Sequence, residues 1–588
     1  MRKILLGILI VSLAALLALY TCLRSFIPDY NGEIQVAGLK ANVTIERNRY
    51  GVPSILADND DDLYFAWGYV NAQDRLFQME ITRRIAQGRL SEFAGPSTLK
   101  KDVFLRAVGF YEIAKRHQES LPPHVRRLLE RYVAGVNTFL ENQAPPPYMR
   151  LLGIEAEKWE IADTAAVAMM LNWSLAYNMK HELIYLRMVR RLGRERAVEL
   201  LNFVPTDTPT IVEGESLDVT DRSFSAMLRE MGPLLGCVTS SNNWVIAPSK
   251  TANGETIFCS DMHVHQSKLP SDFYYIHVKS ADYEAAGAQV AGLPFIAAGY
   301  NRNIAWANTN QGADTVDLFA ESVDWEKETF RHNGRDIPLG KKEEIFHVKG
   351  QDPIKKTLYY AGRKPILNDV FTDVDATLSL DWVGFDGIDV EGFFHINRAE
   401  DYESFLEGAR RIRMTPQNMV YADRYGNIAY RVVGSLPDRV KGTGNLPQDG
   451  EAVLANWKGN IPDHAYPSIR NPERGYIITA NNKVVRDFDY DMNAVYAPAY
   501  RYQNIAAMIR NKSGIDVDYM KQVQTDTRTV LAKKVIPILE EHIRPGDDPR
   551  IEQALALLIE WDGDSRKDSA ATSIYNTFLV RFMYQTLK

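Results

Sequence analysis

The chain has 588 residues, 45% of them hydrophobic and 24% charged, a globular composition with material for one large core or several ordinary domains. Its formal charge of -7 is small for this size and offers no basic face to a phosphate backbone, which argues against nucleic acid as a partner. Three cysteines, Cys22, Cys237 and Cys259, cannot form a disulfide framework, and no Cys/His cluster has zinc spacing.

Met1-Arg2-Lys3 leads into an unbroken apolar run over residues 4–19, the pattern of an export segment. Tyr20-Thr21-Cys22-Leu23 is a poor small-residue cleavage site, so residues 1–28 read either as a signal peptide or as an uncleaved N-terminal membrane anchor. Cys22 adds a lipoprotein reading that Tyr20 and Thr21 disfavour. All of these place the chain in the periplasm or on the outer side of a membrane.

Alternation from Val43 predicts a strand, Gly51-Val52-Pro53 a turn, and Asp60-Asp61-Asp62 a helix start with acids in its first turn. Helical spacing then holds over 63 to about 85. Asp74-Arg75 inside it has the residue types of a catalytic pair, but an ion pair without a nucleophile more commonly fixes a helix against its neighbours. Residues 111–204 are helical in pattern, broken at Pro122-Pro123 and Pro145-Pro146-Pro147. Within them, 169–188 is apolar enough to be buried and carries Glu182 among Leu183, Ile184 and Leu186, where a glutamate ordinarily turns to solvent. From Pro205 to Ser240 the chain turns polar and loses apolar periodicity until Met227, which fits a linker.

Thr239-Ser240-Ser241-Asn242-Asn243 then runs into Trp244-Val245-Ile246, a β-branched and aromatic strand. A second strand begins at Thr256-Ile257-Phe258, and Asn253-Gly254 between them is a hairpin signal that would place Trp244 opposite His263. On the residues alone this is an ordinary loop capped by a buried strand. An N-terminal serine, by contrast, would carry its own base, an amine with a pKa of roughly 8.

Further on, 293–301 and 304–310 read as strands around a turn, followed by Asp314-Thr315-Val316-Asp317, whose two carboxylates are more often a solvated turn than a cation site. Residues 320–400 are rich in strands. Gln417–Asp423 and 426–430 form strand, turn and strand, ending in Gly434-Ser435-Leu436-Pro437-Asp438-Arg439. Gly475-Tyr476-Ile477-Ile478-Thr479-Ala480-Asn481-Asn482 is a buried strand ending in two amides, commonly a satisfied turn. Residues 515–588 are helical.

Ser241-Asn242-Asn243-Trp244-Val245-Ile246, with Asp261-Met262-His263 after it, resembles the start of the β-subunit in the penicillin acylase family. That family comprises N-terminal nucleophile amidohydrolases, cephalosporin acylases and acyl-homoserine-lactone acylases among them. Gln73-Asp74-Arg75-Leu76 and Arg83-Arg84 through Gly88-Arg89-Leu90-Ser91-Glu92 resemble its α-subunit start, where their role is architectural. The blocks near 304, 417 and 475 follow in family order, so the resemblance covers nearly the whole chain. It implies an α+β fold, a four-layer αββα sandwich of stacked antiparallel sheets with a largely helical α-subunit part. The implied parts are an α-subunit region over 29–205, a linker over 206–240 and a β-subunit region over 241–588. The last is C-terminally incomplete, because relatives continue past Leu587-Lys588.

The resemblance also implies roles. The protein cuts its own backbone between Ser240 and Ser241, Ser241 becomes the nucleophile, and the α and β fragments stay together as a heterodimer. The Asn310 N–H and the Asn481 side chain hold the oxyanion, while His263 and Arg501 organise the site. One structural Ca2+ is held by Glu182, Asp314, the Val316 carbonyl, Asp317 and the Pro437 carbonyl, with Asp489 or Asp491 completing the set; no organic cofactor is implied. The activity is hydrolysis of an N-acylated small molecule to an acid and an amine through an acyl-enzyme. Residues 173–179 correspond to a wall of the acyl pocket. Val264 and Ala298 stand where penicillin G acylases have aromatic residues, which leaves room for a long acyl chain such as that of an acyl-homoserine lactone. The competing expectations are a β-lactam acylase, a Ser/His/Asp hydrolase, for which no Gly-x-Ser-x-Gly elbow appears, and a non-catalytic anchored binding protein on the same scaffold.

Overall fold

The computed structural model describes residues 2–586 apart from 25–26, 29, 177, 194–195, 197–210, 212–239, 265–268, 371–375, 441–443, 445, 452–456, 491, 493–495, 545 and 547. Nearly all of the expected linker, together with Cys237 and Asp491, lies outside the described residues.

The alternation of the Ser241 strand sets the layers. In Ser240–Ile246, Trp244 and Ile246 face one way and Val245 the other, as period-2 geometry requires. Trp244, Ile246, Tyr476 and Ile478 pack on Tyr502, Ile505 and Ile509 of helix Tyr500–Ile509 and on Met520 of helix Val517–Gln524. Val245 and Ile477 pack on Val420, Tyr430 and Val432 of a second sheet. That sheet alternates in turn: Met419, Tyr421 and Ala429 turn to the other side, into the core that also holds Leu63, Trp67 and Val70 of helix Asp60–Ala86. The order is helix, sheet, sheet, helix, the four-layer α+β sandwich that the family resemblance implies.

The inner sheets differ in size. The smaller has three antiparallel strands in the order Tyr476–Thr479, Ser240–Ile246, Ile257–His263. The larger has nine, and all its pairings are antiparallel except that of Pro53–Leu56 with Phe273–Lys279. Ser240–Ile246 is therefore a central strand, buried on both faces and paired on both edges.

The hairpin differs from expectation. Trp244 pairs with Cys259, and His263 pairs with Ser240. The strands are joined by residues 247–256, not by a turn at Asn253-Gly254, because the connection has other anchors. Pro248–Lys250 forms a short 3-10 turn, the Ala247 N–H donates to the Gly475 carbonyl (2.9 Å), and the Ala252 N–H donates to the Ile515 carbonyl (2.8 Å). The shift brings His263 beside Ser240.

The helical part follows its punctuation. Asn59 caps helix Asp60–Ala86 by accepting the Asp62 N–H (3.0 Å), and Pro123 opens helix Pro123–Asn142 where its missing N–H costs nothing. Asp74 accepts from Arg47 at 2.7 and 3.1 Å and from the Tyr274 hydroxyl, and Arg75 donates to the Ser271 carbonyl (3.2 Å). The Asp74-Arg75 pair is thus a tie between helix and sheet. Arg84 is likewise buried, donating to Glu80 at 2.6 Å.

Two glycines set how closely helices Asp60–Ala86 and Pro123–Asn142 cross. A Cβ on Gly68 would lie 1.9 Å from the Tyr132 carbonyl oxygen, and one on Gly135 would lie 1.8 Å from that of Phe65. Backbone meets backbone, so no side chain can give way. We expect Gly135→Ala to cost at least the roughly 1–3 kcal/mol of an overpacked core, read as a lower melting temperature. Gly153→Ala, strained at φ 72° but with nothing within 4 Å of its Cβ, shows for comparison what backbone conformation alone costs.

Candidate active site

Ser241 is 2% exposed and is held at both its nitrogen and its hydroxyl by one side chain. Asn481 Oδ1 accepts the Ser241 N–H (2.9 Å), and Asn481 Nδ2 lies 3.4 Å from Ser241 Oγ. Arg501 fixes which way this amide points, because Nη2 donates to Asn481 Oδ1 (3.0 Å) and leaves Nδ2 to face the hydroxyl and the Asn310 carbonyl (2.8 Å). A second Arg501 nitrogen, Nη1, donates to the Ser241 carbonyl (2.8 Å) and to Asn242 Oδ1.

Asn481 holds this position in a left-handed backbone conformation, φ 59°, at the end of strand Tyr476–Thr479. Asn tolerates that region better than most residues, and a strained backbone at a polar buried cluster is a mark of function.

Asn310 reaches the cluster from the other sheet. The Gln311 N–H bonds to the Pro416 carbonyl on one side of strand Ile304–Asn310, so the Asn310 N–H and carbonyl point to the opposite edge. There its carbonyl meets Asn481 Nδ2. The Asn310 side chain is spent on structure: Nδ2 donates to the Leu175 carbonyl (3.0 Å) and Oδ1 accepts the Gly312 N–H (3.1 Å). Its backbone is thus what it can offer to chemistry.

His263 stands across from Ser240, its Nδ1 hydrogen-bonded to Ser240 Oγ. Its Nε2 lies 3.4 Å from Asn242 Nδ2 and 3.4 Å from an Asp261 carboxylate oxygen. All five predicted catalytic residues and both residues of the predicted cut therefore come together, from strands of both sheets and the start of a helix. The arrangement offers a buried hydroxyl, an acceptor on the adjoining nitrogen and donors fixed around the hydroxyl.

Sequence reasoning missed the tie between the two sheets. Thr309 Oγ1 donates to Thr479 Oγ1 (3.1 Å), and Asn418, itself held by the Tyr430 hydroxyl (2.7 Å), donates to Thr309 (3.1 Å). These residues precede Asn310 by one and Asn481 by two, so the tie sets the spacing of Asn310 and Asn481 across the two sheets. Their only signal is small polar residues in otherwise apolar strands.

The residues expected around an acyl chain are placed as follows. Trp173 is locked among Phe104, Phe110 and Trp382, with centroids 5.2–5.6 Å apart, and so belongs to the core. The end of its helix, Leu175, is what touches Asn310. Ala298 is buried in strand Ala298–Asn301, and Val264 is half-buried directly after His263.

Three of the predicted cation ligands also converge. Carboxylate oxygens of Glu182, Asp314 and Asp317 all lie within 4.8 Å of one another, and all three residues are buried. Glu182 is 1% exposed; its Oε2 accepts the Leu318 N–H (3.1 Å), and burial, then Asp314 and Asp317, push its carboxyl well above the usual range. The Val316 N–H caps Asp314 Oδ1 (3.3 Å), and Pro437 opens the strand Pro437–Arg439. Asp489 is exposed.

The cluster already contains a cation. Arg439 Nη2 lies 3.2 Å from Asp314 Oδ2 and 2.9 Å from Asp317 Oδ1, and donates to the Asp314 carbonyl (3.1 Å). Three buried carboxylates face this one guanidinium, and Glu182 Oε1 is buried with no hydrogen-bond partner, so the donor set fits a hard cation beside Arg439.

A family model described as penicillin amidase matches residues 42–588. The acyl-homoserine lactone acylase QuiP of Pseudomonas aeruginosa is 30% identical, over 94% of this chain and 70% of its own length. Penicillin acylase 2 proenzyme of Pseudomonas sp. (strain SE83) is 30% identical over 95% of this chain and 73% of its own. Penicillin G acylase of Escherichia coli is 26% identical over 93% and 73%. Among solved structures, the thermostable penicillin G acylase from Alcaligenes faecalis in orthorhombic form is 23% identical, covers 56% of this chain and 60% of that one, and superposes with a TM-score of 0.48. The family match begins just before the first strand and runs past every residue around Ser241; the chain belongs to the penicillin amidase family, a family of amide-hydrolysing acylases.

Proposed function

We propose that this acylase matures by opening its backbone between Ser240 and Ser241 and then uses Ser241 to hydrolyse an N-acylated small molecule. One observation carries the reading: Asn481 grips both the nitrogen and the hydroxyl of Ser241. For an internal serine the first contact is only a backbone hydrogen bond. For an N-terminal serine the same acceptor orients the amine that serves as base.

In maturation, Ser241 Oγ attacks the Ser240 carbonyl carbon. The C–N bond breaks, the Ser241 nitrogen takes up protons as an amine, and water hydrolyses the resulting ester to leave a carboxylate on Ser240. His263, bonded to Ser240, faces the bond being broken. In turnover the amine accepts the hydroxyl proton, and the oxyanion is held by the Asn310 N–H and Asn481 Nδ2, donors in place before charge develops. Arg501 positions Asn481. The acyl-enzyme then yields a carboxylic acid, and the amine product leaves. The fragments 29–205 and 241–588 would remain together as a heterodimer through the shared sandwich.

The N-terminal helix supports export. Residues Ile4–Arg24 have a mean hydropathy of 2.6, none of the span is buried, and the length suits a bilayer. We assign this segment to delivery across or onto a membrane, as a signal or an anchor.

For the substrate we favour a long acyl chain. Val264, directly after His263, and the buried Ala298 are small side chains where the resemblance expects the acyl chain, and relatives at 30% identity include acyl-homoserine lactone acylases. Each methylene buried is worth about 0.8 kcal/mol, or about fourfold in kcat/KM. We expect decanoyl amides of homoserine lactone to be hydrolysed well above butanoyl ones. Equal rates for the two, or a preference for the phenylacetyl amide of a β-lactam, would replace this reading with that of the relative named penicillin acylase 2 proenzyme.

A further inference from the structure

We infer that His124, Glu391 and His395 form a site for a zinc-class divalent ion, one that fastens the helical α part of the chain to its β part. A ring nitrogen from each histidine and a carboxylate oxygen of Glu391 all lie within 4.8 Å of one another. Two imidazoles and a carboxylate are a donor set that zinc takes, with water in the fourth position. His124 is exposed, so that fourth position opens to solvent. Calcium prefers oxygen ligands throughout, which sets this site apart from the Glu182 cluster.

The three side chains stand on packed backbone. Glu391 and His395 are four residues apart on helix Glu391–Ile396 and therefore share a face. That helix cannot shift easily: Phe393 stacks on Phe295 with centroids 4.8 Å apart, and a Cβ on Gly392 would lie 2.3 Å from the Gly408 carbonyl oxygen. His124 sits at the start of helix Pro123–Asn142, and Val125 after it is buried in the same core as Phe394. The two imidazoles already meet edge to face, with centroids 5.9 Å apart.

The existing contacts leave room for the ion. His395 Nε2 is 3.0 Å from Glu391 Oε1, joined by a proton that a metal would displace. Among the described residues, the side-chain hydrogen bonds that Glu391 accepts fall on Oε1, which leaves Oε2 to coordinate. Arg411 is the competing cation, 3.2 Å from Oε1. Its side chain is 41% exposed and also holds Glu407 at 2.8 Å, so it can turn outward to that partner. His124 precedes the proposed cut and the other two ligands follow it, so the ion would join two polypeptides once the backbone opens. That bridging role, unlike the site itself, rests on the cut between Ser240 and Ser241.

Titration of tag-free protein with zinc, read by calorimetry and by melting temperature, tests the site independently of activity. The parent should take up about one zinc per chain and melt at a higher temperature with it. Losing even an outer-shell partner costs about 10–100-fold in metal affinity, so His124→Ala and His395→Gln should each weaken binding by at least that much and lose the melting shift. His124 is exposed, so its alanine variant should fold; His395→Gln, which keeps a polar side chain of similar length, is the second probe. Ser241→Ala should bind zinc as the parent does. Zinc binding in a parent found uncut would keep the site and remove only its bridging role. A parent without stoichiometric zinc binding overturns the inference, as does either histidine variant that binds zinc as tightly as the parent.

Discussion

Ser241→Ala is expected to yield a single uncut polypeptide and to lower amide hydrolysis by on the order of a millionfold, the loss seen when a nucleophile is removed from a preorganised site. Two separate steps fail at once. Without the hydroxyl there is no acyl shift, so no amine forms, and without the amine there is no base. The side chain is 2% exposed and small, and alanine adds no atoms, so folding should survive. Ser241→Cys is the informative companion. A thiol can perform the shift, so this variant should cut itself while hydrolysing amides poorly, and separating the two steps in that way would show that one atom serves both.

The second large effect is expected at Asn481. Removing a single oxyanion donor costs about 2.7–4 kcal/mol, or on the order of 10²–10³ in kcat. Asn481→Ala removes the donor and also the acceptor on the Ser241 nitrogen. Alanine further retains the strain of φ 59°, so its loss mixes chemistry with stability. Two variants separate these contributions. Asn481→Gly relieves the backbone and should match the activity loss of alanine at a higher melting temperature. Asn481→Asp keeps an acceptor toward Ser241 and Arg501 but turns an oxygen toward the developing negative charge, so kcat should fall by at least the donor's worth while folding is kept. Should Asn481→Gly retain near-parental kcat, Asn481 would be a turn residue and the oxyanion would need another donor.

The layer order was legible through the family resemblance, and in the structure local alternation carries it. Trp244, Val245 and Ile246 declare two buried faces, and Met419 to Ala422 do the same for the partner sheet. Helix limits were legible where Asp60-Asp61-Asp62, Pro123 and Pro147 punctuate them. What escaped was set by tertiary contacts. The register of the Ser241 hairpin depends on Ala252 bonding to Ile515, more than 250 residues away, and no turn dipeptide reports that. The glycine crossing of Gly68 and Gly135 has no periodic sign, since only the approach of two backbones reveals it. Arg439 gave no signal either: an arginine after Pro-Asp is commonplace, and its partners Asp314 and Asp317 lie more than 120 residues earlier. Around Ser241 the residues were found because they stand in blocks that resemble a family. The Thr309–Thr479 tie that spaces them was not, because it has no motif of its own.

The central claim is that Ser241 becomes an N-terminus. N-terminal sequencing and intact mass of the purified, active protein test it most directly. The account predicts two polypeptides, one of them beginning Ser-Asn-Asn-Trp-Val-Ile, with the catalytic rate tracking the fraction of chains so cut. An active protein whose backbone is continuous from Ser240 to Ser241 would contradict it.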